Sequence, residues 1–176
     1  MTATAPPSSP DGFRRLMGRW ATGVSVVTAH DGTVDAGLTV NALLSVSLAP
    51  PTVLVSLMRD VDTLPVVERS GRFAASLLAA DQRAFSERFA RPEAPARKFD
   101  GVPIHRAPHG SALLDDTLGG LECRVVSRTP AYDHVLVIGA VEYQELGRDA
   151  LPLLFYRSGY GEADPPNRLR LPTGRP

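Results

Sequence analysis

Cysteine is almost absent from this chain of 176 residues, in which Cys123 is the only one. A lone thiol excludes an internal disulfide and suits a reducing compartment, so we expect a cytoplasmic protein. Long apolar runs are absent too, since the longest covers residues 135–141 and a membrane span needs ~20 residues. Residues 1–10 are small, polar and proline-rich, without the apolar core of a secretory signal.

Net charge is also lacking, because 19 lysines and arginines balance 19 aspartates and glutamates. Such a balance provides no strong field for nucleic acid or for an anionic membrane. The sequence has no cysteine and histidine spacing typical of a metal site, and no GxGxxG motif follows a predicted strand. We therefore expect no metal ion and no Rossmann nucleotide-binding domain.

The length fits one domain. We expect a disordered lead-in over residues 1–10 and a folded domain over residues 11–161. Residues 162–176 are rich in proline, glycine and arginine, which is typical of a flexible tail.

Three helices are predicted. The first begins after Asp11, its N-cap, and ends at Gly23. The second covers residues 63–70 and ends at Gly71, and the third is capped by Asp81. Apolar side chains recur at helical spacing along the first helix, at Phe13, Leu16, Met17 and Trp20.

Strands dominate the rest of the chain. Asp31-Gly32 is a hairpin signal between the first two strands. Residues 91–110 contain four prolines and are predicted to be a loop. Many short strands with few helices favour a closed antiparallel barrel. The predicted strands are residues 24–28, 34–39, 43–48, 52–57, 73–78, 120–127, 134–144 and 153–156.

The stretch from Gly37 to Pro51 places a hydroxyl and an amide side chain, Thr39 and Asn41, before an alternating strand that ends at two prolines. Backbone N–H groups and short polar side chains at such a turn can hold a phosphate without a lysine. The helix start at Asp62-Thr63 offers free N–H groups and the positive end of a dipole. An ordinary strand edge and a capped helix are the alternative interpretations.

Six segments, in this order, resemble the short-chain flavin reductases, the small partners of two-component flavin monooxygenases. Together they extend over nearly the whole chain, from about Phe13 to Tyr160. Each segment is common alone, but six in the right order are hard to obtain by chance. They are residues 13–27 (FRRLMGRWATGVSVV), 37–51, 89–101, 121–124 (LECR), 133–139 (DHVLVIG) and 152–161 (PLLFYRSGYG).

The resemblance implies a mainly β fold, the FMN-binding split β-barrel, which is a Greek-key antiparallel barrel with a few peripheral helices. It also implies a homodimer, FMN or FAD as the flavin, and NADH or NADPH as the reductant. For two of the cofactor-binding residues that it implies, a structural interpretation is the alternative: Lys98 could be a solvated charge, and Tyr156 could pack in the core. The cofactor-binding residues that it implies are Thr39, Val40, Asn41, Ala42, Ser56, Leu57, Asp62, Thr63, Lys98, Phe99 and Tyr156.

The adjacent Asp133 and His134 are the catalytic candidates that the resemblance implies. A histidine held by an aspartate can contact the nicotinamide dinucleotide or stabilise negative charge on a reduced flavin. The family usually has glycine before this pair, whereas this chain has Tyr132. A tyrosine at this position either stacks on a ring or narrows the nicotinamide site.

Three functions are open at this point. The first is an NAD(P)H:flavin oxidoreductase that supplies diffusible reduced flavin to a partner monooxygenase. The second is an enzyme that keeps FMN bound and acts directly on an organic substrate such as a quinone or a nitro compound, which Tyr132 motivates. The third is a flavin-binding module without turnover, since fold alone does not determine function.

Overall fold

The computed structural model describes residues 8–161, so most of the predicted lead-in and all of the predicted tail lie outside the described residues. The helices are α1 (Pro10–Met17), α2 (Thr63–Ser70), α3 (Arg83–Phe89) and α4 (Pro95–Lys98), with a 3₁₀ turn at Ala80–Gln82. The strands are β1 (Thr22–Gly23), β2 (Ser25–His30), β3 (Asp35–Val40), β4 (Leu43–Leu48), β5 (Pro51–Met58), β6 (Arg72–Leu77), β7 (Ile104–Arg106), β8 (Ala112–Leu114), β9 (Gly119–Ala131), β10 (His134–Leu146), β11 (Leu154–Tyr156) and β12 (Gly159–Gly161).

Seven of these strands form one antiparallel sheet in the order β3-β2-β6-β9-β10-β5-β4. Its two edge strands, β3 and β4, follow each other in the chain and are separated only by Asn41 and Ala42. Because so short a connection spans roughly 10 Å, the sheet must curl until its two edges meet. The mainly β barrel predicted from the sequence is thereby confirmed.

Turn chemistry determines two of the predicted boundaries. The Asp31 carboxylate accepts hydrogen bonds from the Thr33 and Val34 amides at 3.0 and 2.9 Å, which closes the β2–β3 hairpin. Helix α2 ends at Gly71, whose φ of 64° lies in the left-handed region that favours glycine. Both features agree with the sequence prediction.

The predicted caps are wrong at two other helices. Helix α1 begins earlier than expected, because Ser9 accepts the capping hydrogen bond from the Gly12 amide at 3.1 Å. The helix also ends at Met17, so Gly23 lies in strand β1 instead of ending it. Asp81 lies inside the 3₁₀ turn and pairs with Arg148. Ser9 and Asp11 are both good caps for α1, and local sequence does not select between them. Helix α3 begins after Gln82, which makes no side-chain capping hydrogen bond.

The stretch predicted as a loop, residues 91–110, contains helix α4 and strand β7. Strand β7 pairs with β8 in a hairpin over residues 104–114, which we call the hairpin flap. Arg106 holds the flap to strand β3 through two contacts with the Asp35 carboxylate, at 2.5 and 2.7 Å. These long-range contacts stabilise a strand that local periodicity does not reveal.

A buried carboxylate holds the turn of the hairpin flap. Glu122 is fully buried and accepts hydrogen bonds from the His109 amide at 2.9 Å and the Ser111 amide at 3.0 Å. Its second contact with His109 joins the carboxylate to the ring Nδ1 at 3.0 Å. Burial raises the pKa of Glu122, but hydrogen bonds from Ser111 and His109 outweigh it, so the pKa is lowered.

The barrel interior is apolar and tightly packed. Val55, Phe73 and Val137 are fully buried there, together with Cys123. Burial raises the pKa of the Cys123 thiol to about 12, so the residue is a small core side chain and not a nucleophile. A Cβ added at Gly139 would meet the Phe73 ring at 2.5 Å, which shows why only glycine fits there.

No helix within residues 8–161 is long and apolar enough to cross a membrane. Over the same range, no group of three or more histidine, cysteine, aspartate or glutamate side chains is arranged to hold a metal ion.

Candidate functional site

A cleft of about 1010 Å³ opens beside helix α1 and the turn between β3 and β4. Its walls are largely apolar and come from distant parts of the chain. They include Phe13, Met17, Trp20, Leu44, Leu78 and Leu153. A pocket of this size, with apolar walls and a few polar groups, is typical of a site for a flat organic cofactor.

Four of the predicted site residues line this cleft: Asn41, Ala42, Ser56 and His134. Antiparallel pairing of β5 with β10 places His134 opposite Met58 and therefore close to Ser56. The Ser56 amide donates to the Ala42 carbonyl oxygen at 3.1 Å, which joins β5 to the β3–β4 turn. The fold thus gathers side chains that are more than 90 residues apart in sequence.

The Asp133 carboxylate lies 2.9 Å from Nδ1 of His134. This hydrogen bond lowers the pKa of Asp133, so the carboxylate is ionised at neutral pH and accepts the Nδ1 proton. Nε2 of His134 is then the ring nitrogen available to a ligand. The pair has the arrangement expected for an oriented histidine, although its catalytic role stays a prediction.

Tyr132 lies in the two-residue loop between β9 and β10, where His134 pairs with Ala131. Its φ of 56° is left-handed, a conformation that costs a non-glycine residue about 1–2 kcal/mol. A glycine at this position would avoid this cost. The side chain is 98% exposed and is not among the residues lining the cleft, so Tyr132 does not narrow the site in this structure.

The sequence analysis missed Thr22 and Trp20, which both line the cleft. The Thr22 hydroxyl is buried and has no hydrogen-bond partner among the described residues. Trp20 is 70% exposed although it is the largest apolar side chain of the chain. The signal that could have indicated a site is the apolar face that Trp20 was predicted to share with Phe13 and Met17, since all three residues line the cleft.

Thr39, Val40 and Leu57 do not line the cleft. The Thr39 hydroxyl donates to the Ser86 carbonyl oxygen at 2.7 Å and joins β3 to helix α3. Val40 and Leu57 are buried in the core, so only their backbone groups are available to a ligand.

Four further predicted residues, Asp62 and Thr63 at the start of α2 and Lys98 and Phe99 at the end of α4, do not line the cleft either. Asp62 occupies the N-cap position, but its backbone is helical and its carboxylate makes no capping hydrogen bond, which corrects the predicted cap. Thr63 is buried at the first position of the helix. Phe99 packs edge-on against Phe89, with ring centroids 5.1 Å apart.

The Lys98 side chain is buried, so it is not a solvated charge. Its ammonium donates to the carbonyl oxygens of Gly37 and Phe89 at 3.2 and 3.3 Å. Burial lowers the pKa of Lys98, and the charges of Asp62 and Glu93 oppose this shift. Lys98 therefore fastens α4 to β3, and any role toward a ligand stays a prediction.

Tyr156 lies away from the cleft walls. Its ring is half-exposed and stacks under the Arg157 guanidinium at 5.2 Å. The neighbouring Phe155, and not Tyr156, lines a smaller cavity of about 420 Å³ that Trp20 also lines. Cofactor contact by Tyr156 stays a prediction.

Residues 17–164 match a protein family described as "Flavin reductase like domain". The chain belongs to this family. The resemblance indicated by the six sequence segments is confirmed, and so is the split β-barrel that it implied.

Two curated proteins illustrate the range of this flavin reductase-like family. The chain is 38% identical over 144 residues to "Actinorhodin polyketide dimerase" of Streptomyces coelicolor, covering 81% of this chain and 80% of that protein. It is 36% identical over 150 residues to the reductase component of 4-hydroxyphenylacetate 3-monooxygenase of Thermus thermophilus, covering 85% of this chain and 94% of that protein.

Among solved structures, the NADH:FAD oxidoreductase SgcE6 of Streptomyces globisporus, in complex with NAD and FAD fragments, has a TM-score of 0.85 to this chain. The two sequences are 28% identical, and the match covers 93% of this chain and 99% of that one.

The residues of this flavin reductase-like chain fit a flavin. The apolar walls, with Trp20 and Met17, suit a planar ring system. The orphaned Thr22 hydroxyl and the side chains of Asn41 and Ser56 provide hydrogen-bonding groups for the polar edge of such a ring. A buried hydroxyl without a partner is costly, and a cofactor atom would satisfy it.

Proposed function

We propose that this protein is an NAD(P)H:flavin oxidoreductase that reduces FMN or FAD and supplies the reduced flavin to a partner monooxygenase. The observation that carries the proposal is the cleft, which combines apolar walls, an orphaned Thr22 hydroxyl and the oriented His134. Relatives named as reductase components of monooxygenases support the partner class.

In this proposal the cleft binds and orients two flat rings. Bound flavin supplies the ring that accepts a hydride from the nicotinamide, and the protein adds geometry and electrostatics. Asn41, Ser56 and Thr22 would hydrogen-bond the flavin edge, while Trp20 and Leu153 would shield the ring faces from water. The Asp133 carboxylate holds Nδ1 of His134, so Nε2 would be the ring nitrogen presented to the nicotinamide.

Direct action on an organic substrate is the second candidate. One relative at 38% identity is named for polyketide dimerisation rather than for flavin reduction, which favours retaining this candidate. Tyr132 lies outside the cleft, however, which weakens the argument that it modifies the nicotinamide site for another substrate.

We also propose that the chain forms a homodimer through strand β4. This strand lies at the edge of the sheet, and its apolar side chains Leu44, Val46 and Leu48 are exposed. Exposed apolar side chains on an edge strand are typical of an interaction surface. Leu44 also lines the cleft, so a second copy seated on β4 would border the site. The cytoplasmic location stays a prediction from the cysteine content.

An anaerobic stopped-flow assay tests the function. Purified protein is mixed with NADH or NADPH, with and without added FMN, and the flavin absorbance is followed. Bleaching that scales with the free flavin added is the expected result. Binding of flavin without bleaching by either nicotinamide would contradict the proposal and favour the second candidate.

The His134→Asn variant sharpens this assay. We expect kcat/KM for the nicotinamide to fall about 10- to 100-fold, because loss of one oriented hydrogen bond to a reacting group costs about 1.4–2.8 kcal/mol. His105→Asn is the matched control, since His105 lies on the hairpin flap and away from the cleft. Equal losses in the two variants would contradict the role of His134.

A further inference from the structure

Tyr132 occupies the first position of the two-residue β9–β10 loop in an unfavourable backbone conformation. Its φ of 56° is left-handed, and Asp133, the other residue of the two-residue loop, is not among the positive-φ residues. Glycine is the residue that this position favours in a hairpin turn. The backbone conformation therefore gives no reason for a tyrosine.

Packing within the chain gives no reason either. The Tyr132 side chain is 98% exposed, and among residues 8–161 it takes part in no aromatic pair and no cation–π contact. A large aromatic side chain contributes to stability by burying its surface, which Tyr132 does not do. A residue with a local cost and no local gain is expected at a functional position.

The loop that carries Tyr132 is anchored directly before the cleft-lining His134. The Arg59 amide donates to the Asp133 carbonyl oxygen at 3.0 Å, which anchors the loop to the end of β5. The Asp133 side chain holds His134 at 2.9 Å, and His134 lines the cleft. Tyr132 thus lies two residues from a cleft-lining histidine, on a hydrogen-bonded strand connection and exposed to solvent.

We propose that the Tyr132 ring stacks on a planar base of the nicotinamide dinucleotide and so sets the affinity for this substrate. Aromatic side chains recognise any flat heterocycle by stacking, and both the nicotinamide and the adenine have this chemistry. The inference rests on the proposed function, in which His134 faces the nicotinamide side of the cleft. It assigns Tyr132 to substrate binding and not to hydride transfer itself.

The experiment compares Tyr132→Gly with Tyr132→Phe, which keeps the ring. For Tyr132→Gly we expect KM for NADH to rise about tenfold, with a much smaller change in kcat, since one stacked base is lost. The thermal midpoint should rise by a few degrees, because glycine relieves the left-handed backbone. Tyr132→Phe should restore most of the affinity.

Asp116→Gly is the matched control for the backbone, since Asp116 also has a φ of 56° and lies outside the cleft lining. The Asp116→Gly variant shows whether placing glycine at a left-handed position by itself changes KM for NADH. Reduced nicotinamide mononucleotide, which lacks adenine, separates the two bases. A KM effect retained with the mononucleotide identifies the nicotinamide as the stacked ring, and an effect lost with it identifies the adenine.

Fluorescence titration of NADH provides a readout besides turnover, and Tyr132→Gly should bind about tenfold more weakly than the parent. Equal NADH affinity in parent and Tyr132→Gly would overturn the role of Tyr132 even if the parent is an active reductase. A lower thermal midpoint, or a changed oligomeric state with equal affinity, would assign Tyr132 to structure instead. If the parent protein oxidises neither NADH nor NADPH, the proposed function is wrong. If the parent protein also binds neither nucleotide, the inferred role of Tyr132 is wrong as well.

Discussion

The hairpin flap and the cleft differ in two respects: whether their polar side chains have partners, and whether their apolar side chains are buried. In the flap, all three basic side chains have acidic partners, His105 with Asp115 and Glu145, Arg106 with Asp35, and His109 with Glu122. In the cleft, the buried Thr22 hydroxyl has no partner within the described residues, and Trp20 is 70% exposed.

This difference separates stability from function within one small barrel. The basic side chains of the flap are already paired with acidic ones, so they contribute to the stability of the fold and are not available to bind a ligand. Unsatisfied and exposed groups at the cleft cost stability, and the proposed ligand or second copy would satisfy them. Substitutions in the flap should therefore change stability alone, whereas those at the cleft and β4 should change binding or assembly.

Glu122→Gln should have the largest effect. The amide group places N–H donors against the donors of Ser111 and His109 in a fully buried site. We expect the free energy of unfolding to fall by about 2–4 kcal/mol, measured by urea denaturation. The kcat of the remaining folded protein should be unchanged.

Glu142→Gln is the matched control for this substitution. Glu142 pairs with Arg72 and Arg124, but it is partly exposed to solvent, so its loss should be clearly smaller. Equal destabilisation by the two variants would show that burial of Glu122 is not the source of its contribution.

Leu48→Asp tests the exposed apolar surface of strand β4 and should have an intermediate effect. Leu48 is 87% exposed on edge strand β4, and a charge there opposes burial against a second copy. We expect the dimer dissociation constant to rise at least about tenfold, or about 1.4 kcal/mol, by sedimentation, with little change in unfolding of the monomer.

Leu146→Asp is the control, because Leu146 is 98% exposed at the end of β10, opposite Gly119 and away from β4. It should leave the dissociation constant unchanged. A monomeric parent protein, or equal effects of the two variants, would refute the dimer proposed through β4.

The hairpin at Asp31, the helix end at Gly71 and most strands were predictable, because each depends on turn chemistry or alternation within a few residues. The start of α1 was not, because Ser9 and Asp11 are both good caps and only the folded backbone selects Ser9. Strand β7 was missed for a different reason. It depends on the contact of Arg106 with Asp35, which are 71 residues apart in sequence.

The candidate site divides in the same way. The polar residues Asn41, Ser56 and His134 were predictable from motifs, and the pairing of β5 with β10 brings them together. The walls were not predictable, because Leu153 reaches the cleft through long-range contacts with Val24 and Leu78. The hydrophobic pattern within one segment does not predict contacts between residues so far apart in sequence.

The pH dependence of stability should show the smallest effect and concerns His105 of the flap. Its hydrogen bond to Asp115, assisted by the charge of Glu145, raises the pKa of His105. Since the folded pKa lies above the unfolded one, the contribution is fully present below about pH 6.5 and is lost as pH rises through the folded pKa.

Because His105 is partly exposed, we expect this contribution to be only about 0.3–0.5 kcal/mol. Urea unfolding of the parent and His105→Gln at acidic and alkaline pH measures it. The stability difference should be present at the acid end and vanish at the alkaline end. A difference that grows with pH would reverse the sign and would mean that neutral His105, not its cation, is the form that the flap stabilises.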